Sequence, residues 1–221
     1  MLRQIVRGVL FIVVVATLVG CAGAPSPEAG PTPEGNVQDL ITEAKTALDS
    51  QNVSLAVQKL EQAIAIDSNS VEAHFVLGNA YTQNNQLDKA EELFTRAIEI
   101  DPNHTDARSN LGVVLYRQQK FPQAADAFRK AIELEPNDAD VQYNLGGVLA
   151  AQGNFTEAEQ HFLRARELDP SLPQVYLGLG SIYKEQGRKQ EAIDNLRIYL
   201  EKASDPTWRQ QAEQMLKELE Q

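Results

Sequence analysis

The sequence predicts an all-α solenoid of stacked helical hairpins, and three observations carry that prediction. A pattern of 34 residues recurs five times without insertion or deletion, starting at Val37, Val71, Thr105, Ala139 and Pro173. Small residues return at fixed places: position twenty is Ala56, Ala90, Ala124, Ala158 and Ala192, and position eight is Ala44, Gly78, Gly112, Gly146 and Gly180. A large apolar residue holds position twenty-four, as Leu60, Phe94, Phe128, Phe162 and Leu196. Small residues at eight and twenty let the two helices of a hairpin approach, and the residue at twenty-four is expected to fill the gap to the following repeat.

The stretch Ala139–Pro170 shows the unit most clearly. Its first helix keeps Leu145, Gly146 and Leu149 on one face, and its second keeps Ala158, Phe162 and Ala165 on one face. Gln152-Gly153-Asn154 reads as the turn between them. Asp169-Pro170 ends the second helix, because proline has no N–H to continue it.

From the N-terminus, residues 1–20 read as a signal segment rather than part of the fold. Arg3 and Arg7 precede an eleven-residue apolar run, Val9 to Val19. That is short of the ~20 residues a membrane span needs. Leu18-Val19-Gly20-Cys21 is similar to the lipobox of bacterial lipoproteins. The resemblance implies cleavage before Cys21, a diacylglyceryl group on its thiol and acylation of the new amine. Cleavage after Ala24, or an uncleaved anchor, are the competing readings. Cys21 is the only cysteine, so no disulfide forms within the chain. Residues 21–36 hold four prolines and three glycines with no apolar period, and read as a tether.

The five repeats are expected at 37–70, 71–104, 105–138, 139–172 and 173–204. The first has Glu43 where later copies carry Leu77, Leu111, Leu145 and Leu179, and Ala47 at a position that is larger elsewhere. An end unit has no preceding neighbour to fill, so such substitutions suit it. The fifth is expected to loosen at its far end, where Lys189, Tyr199 and Lys202 replace apolar or small residues. In 205–221, Trp208, Ala212, Met215, Leu216 and Leu219 fall at helical spacing, with Arg209 among the polar residues opposite. This reads as a capping helix, with Trp208 in its core face.

On the period and these residues, the chain resembles the tetratricopeptide repeat (TPR) family, in the form of a bacterial TPR lipoprotein. The resemblance implies a right-handed superhelical solenoid of five hairpins plus the capping helix, whose first helices line a concave groove. Carried over position by position, the groove residues are Phe75, Asn79, Asn110, Val113, Tyr116, Tyr143, Asn144, Gly147 and Leu177. Mixed amide, aromatic and aliphatic groups of this kind suit an extended peptide or a partner helix. The carboxylate-clamp members of the family need bases at particular groove positions. Here position two (Gln38, Glu72, Asp106, Asp140, Gln174) and position five (Ile41, Phe75, Ser109, Tyr143, Leu177) supply none.

Neither composition nor motifs point to catalysis. Net charge is −11, and Arg3 and Arg7 lie in the signal segment, so the remainder is more acidic still. Such a surface repels phosphate backbones, which argues against a nucleic-acid partner. His74, His104 and His161 stand in a first helix, a turn and a second helix, without metal-ligand spacing. No nucleophile, zinc-protease or phosphate-loop motif occurs, and Gly146-Gly147, inside a helix, reads as packing. No metal or cofactor is expected. The function so implied is a lipid-anchored protein–protein scaffold of the cell envelope, on the periplasmic face of the outer membrane or the outer face of the cytoplasmic membrane. Pilus or secretin assembly is the nearest analogy; an adaptor for envelope hydrolases, or a self-associating structural solenoid, are the alternatives.

Overall fold

The computed structural model describes residues 36–221. The signal segment 1–20, Cys21 and the tether as far as Gly35 lie outside the described residues. Eleven helices follow: α1 Val37–Asp49, α2 Val53–Ile66, α3 Val71–Gln83, α4 Leu87–Ile100, α5 Thr105–Arg117, α6 Phe121–Leu134, α7 Ala139–Ala151, α8 Phe155–Leu168, α9 Pro173–Glu185, α10 Lys189–Lys202 and α11 Pro206–Glu220. Each packs on its neighbours in sequence, and no strand occurs among the described residues. The fold is an all-α solenoid of five hairpins closed by a capping helix.

Local chemistry sets every boundary. In all five hairpins the residue that reverses the chain has positive φ: Gln51, Asn85, Gln119, Gly153 and Gly187. The following N–H then bonds back into the last turn of the first helix. Asn52 N donates to Ala47 O at 2.7 Å, Gln86 N to Tyr81 O at 2.8 Å, and Arg188 N to Tyr183 O at 2.8 Å. This is the Schellman arrangement, which satisfies carbonyls that the helix end would orphan. Between repeats, the side chains of Asp67, Asp101 and Asp169 each accept from the N–H two residues on, at 2.9, 3.0 and 2.8 Å. Ser70, His104 and Asp138 then cap α3, α5 and α7 by accepting from Ala73, Ala107 and Val141 N–H.

The core follows the small–large pattern, with one correction to its geometry. Ala56, Ala90, Ala124, Ala158 and Ala192 are fully buried. The rings at position twenty-four seat on the glycines of their own hairpins rather than only reaching forward. A Cβ on Gly78 would stand 2.7 Å from Phe94, one on Gly112 2.8 Å from Phe128, and one on Gly146 2.7 Å from Phe162. Phe162 also reaches the next repeat, where a Cβ on Gly178 would meet it at 2.8 Å. One ring therefore locks its own hairpin and, in this case, joins it to the following one.

The far end of the fifth repeat is not loose. Tyr199 is 3% exposed and packs with Tyr176, Leu196 and Ala212 beneath α11. The capping helix departs from expectation at two residues. Trp208 is 52% exposed, not core; the apolar side of α11 is made by Ala212, Met215, Leu216 and Leu219 against Tyr176, Leu196 and Tyr199. Arg209 is half-buried and donates to the carbonyls of Leu200 and, at 2.8 Å, Ala203, closing the C-terminal end of α10.

Candidate functional site

Which face is concave follows from the contacts. The first helices of successive hairpins touch one another (α1 with α3, α3 with α5, α5 with α7, α7 with α9), while the second helices make no comparable contact. A stack drawn closer along its first helices curves towards them. Their outward residues therefore line the inner groove.

Three clefts open along that face. The first, about 580 Å³, takes Phe75 and Asn79 together with Asp49, Glu72, His104 and Asp106. Phe75 is half-buried, its ring centroid 4.8 Å from that of His104 and 6.0 Å from that of Phe94. The middle cleft, about 120 Å³, is lined by Val113, Tyr116, Phe128, Tyr143, Asn144 and Gly147. Tyr116 is 42% exposed there. Tyr143 is half-buried, its ring 5.6 Å from Phe162, and burial pushes its phenol above the ordinary range. The third, about 380 Å³, joins Tyr143 and Leu177 to Tyr199, Asp205 and Trp208 at the foot of the capping helix. Tyr143 thus belongs to two neighbouring clefts.

Of the groove residues expected from sequence, Asn110 alone lines none of the three. Its amide instead donates to Asn79 Oδ1 at 2.7 Å, tying α5 to α3 along the inner face. That leaves Asn79 Nδ2 as a donor and Asn110 Oδ1 as an acceptor. Gly147 corrects the packing reading given to the glycine pair: Gly146 supports Phe162, but a Cβ on Gly147 would meet nothing within 4 Å. Gly146 holds the small eighth position of the repeat and Gly147 the ninth, and a neighbouring side chain fills only the space over the first.

Three groove features are ones that sequence reasoning missed. His104 caps α5 and stacks on Phe75, a role signalled only by its place just before a helix. Trp208 forms a wall of the third cleft. Asp49, at the last turn of α1, faces the first cleft. The other histidines serve the fold. His74 is buried with Nε2 3.1 Å from Ser68 O, and His161 Nδ1 lies 2.7 Å from Gln142 Oε1. Burial lowers the His161 pKa, so the neutral ring is favoured. No three His, Cys, Asp or Glu side chains converge as metal ligands among the described residues.

Sequence patterns of the tetratricopeptide repeat match residues 47–111 and 149–216 in one form and 109–173 in another. The chain belongs to the tetratricopeptide repeat family. Solved TPR structures share its fold. MamA from Desulfovibrio magneticus has a TM-score of 0.71 and 19% identity, over 75% of this chain and 93% of that one. YrrB, described as a TPR protein with an unusual peptide-binding site, has a TM-score of 0.68 and 22% identity, over 81% and 92%. PilF from Pseudomonas aeruginosa has a TM-score of 0.70 and 19% identity, over 83% and 88%. No curated protein sequence matches the chain. This TPR solenoid is of the kind that mediates protein–protein interactions. None of its described helices is long and apolar enough to cross a membrane.

Proposed function

We propose that this TPR solenoid is a lipid-tethered scaffold of the bacterial cell envelope that holds a partner's extended segment or helix along its inner groove. The observation that carries the reading is the succession of three clefts along the first helices. They run from α1 to α11 on one face, and Tyr143 is shared by two of them. Phe75, Asn79, Val113, Tyr116, Tyr143, Asn144 and Leu177 would contact the partner, and the free amide groups of Asn79 and Asn110 suit its backbone. The unusual peptide-binding site of YrrB supports a peptide ligand by analogy, and the layout of signal segment, lipobox-like cysteine and tandem repeats keeps pilus or secretin assembly as the nearest analogy. Cys21, by its likeness to a lipobox cysteine, supplies the anchor.

Two experiments separate the parts of this reading. Co-purification from detergent-solubilised membranes should recover a defined partner with the wild-type chain and lose it with Phe75→Ala and Tyr143→Ala. Recovery unchanged in both variants would put docking elsewhere. Membrane fractionation should find the wild-type chain in the pellet and Cys21→Ser in the supernatant; equal pelleting would remove the lipid anchor and leave the groove untouched.

A further inference from the structure

Resting on that groove reading, we infer that the segment it takes carries an apolar side chain flanked by arginine or lysine. The argument begins with charge. The first cleft is lined by one lysine, Lys45, one histidine, His104, and three acids, Asp49, Glu72 and Asp106. Lys45 is already committed: its Nζ lies 2.6 Å from Glu72. Asp49 and Asp106 are exposed on either side and remain to face a ligand. Beside them stands the half-buried ring of Phe75. Carboxylates next to an aromatic face suit a guanidinium, which stacks on the ring and donates bidentately in its own plane.

No lysine or arginine lines the other two clefts. Arg117 is turned to Thr82 O at 3.1 Å and Asn85 Oδ1 at 2.8 Å, and Lys184 to Glu218 at 2.6 Å. At the far end, the third cleft includes no base and one acid, Asp205, whose carboxylate caps α11 by accepting from Thr207 and Trp208 N–H at 2.9 and 3.1 Å. An incoming segment therefore meets anionic groups at both ends of the groove. An acidic segment would be repelled and would leave Asp49 and Asp106 desolvated without a partner.

The middle is different. Its cleft holds no charged residue, and its volume of about 120 Å³ is near the ~150 Å³ of an engineered hydrocarbon cavity that accepts benzene. The space exists because Gly147 has no side chain, as nothing else lies within 4 Å of where its Cβ would be. With Tyr116 and Tyr143 as walls, it fits one aliphatic or phenyl side chain.

The test uses the full-length chain in detergent and a phage library of random dodecapeptides. Enriched sequences should carry arginine or lysine around a leucine, isoleucine, valine or phenylalanine. Binding of one such synthetic peptide, followed by fluorescence anisotropy, should weaken at least tenfold in the Asp49→Asn, Asp106→Asn double variant and lose most of its salt dependence. It should also weaken at least tenfold in Gly147→Leu, whose melting temperature should match the wild type. Should Gly147→Leu misfold, the exposed double variant still decides the charge claim. Enrichment of acidic or uncharged peptides that are lost in Tyr143→Ala would overturn this inference and leave the groove reading standing. No enrichment, or binding indifferent to Phe75→Ala, Tyr143→Ala and the double variant, would overturn both.

Discussion

Gly112 and Gly147 occupy the first helices of neighbouring repeats and have opposite physics. A Cβ at Gly112 would press on the Phe128 ring at 2.8 Å, while one at Gly147 would enter open space. Overpacking a buried ring costs about 1–3 kcal/mol, and replacing a mid-helix glycine by alanine gains about 0.5–1 kcal/mol. Gly147→Ala should therefore raise stability by about that gain, and Gly112→Ala should lower it by about 1 kcal/mol or more. Urea denaturation of both variants checks the pair, and equal signs would contradict the packing described. The same contrast marks how far residues were legible in advance. Phe94, Phe128 and Phe162 could be placed in the core from spacing alone, because spacing records which face of a helix is buried. Trp208 could not, since its burial depends on how α11 is set against α10.

At the scale of the element, α11 shows how a polar helix is held on an apolar end. Ala212 is its one fully buried residue, and Met215, Leu216 and Leu219 cover Tyr176, Leu196 and Tyr199. Its edge is pinned by Lys184 Nζ on Glu218 at 2.6 Å and Arg197 on Glu220 at 2.8 Å. The Lys184 hydrogen bond, with a second from Gln214, holds the Glu218 carboxyl below the usual range. A carboxyl depressed in the folded state contributes stability above its unfolded pKa and loses it as pH falls through the folded one. Acidification from neutral pH through the carboxylate range should accordingly lower the amide protection factors in 206–220, taken relative to the intrinsic exchange rate at each pH. Glu218→Gln should remove part of that pH dependence while leaving α7 and α8 unchanged. Exchange in α11 with the same pH profile in both proteins would show that the ion pair does not hold the cap. As an exposed contact it should act modestly.

For the molecule as a whole, contacts between neighbours mean that stability is distributed along the stack. Removing residues 206–221 should expose Tyr176, Leu196 and Tyr199, fray α9 and α10, and leave slow amide exchange in α3 to α8. Hydrogen exchange by mass spectrometry reads this directly, and uniform loss of protection would indicate a globally cooperative fold instead. The distribution also serves docking. A groove made from first helices that touch in sequence forms without any contact reaching beyond the next repeat.

The amino-acid sequence by itself determined the period, the hairpins and the small–large core. These depend on local helix chemistry and on contacts repeated at constant separation, so five copies report the same physics. The expected groove residues were likewise readable as positions on a helix. Only the tertiary structure decided that Asn110 is tied to Asn79, that Gly147 opens a cleft while Gly146 closes on a ring, and that Trp208 walls the groove. Each of those outcomes turns on which side chain from another helix reaches a shared space, and no repeat pattern encodes that competition.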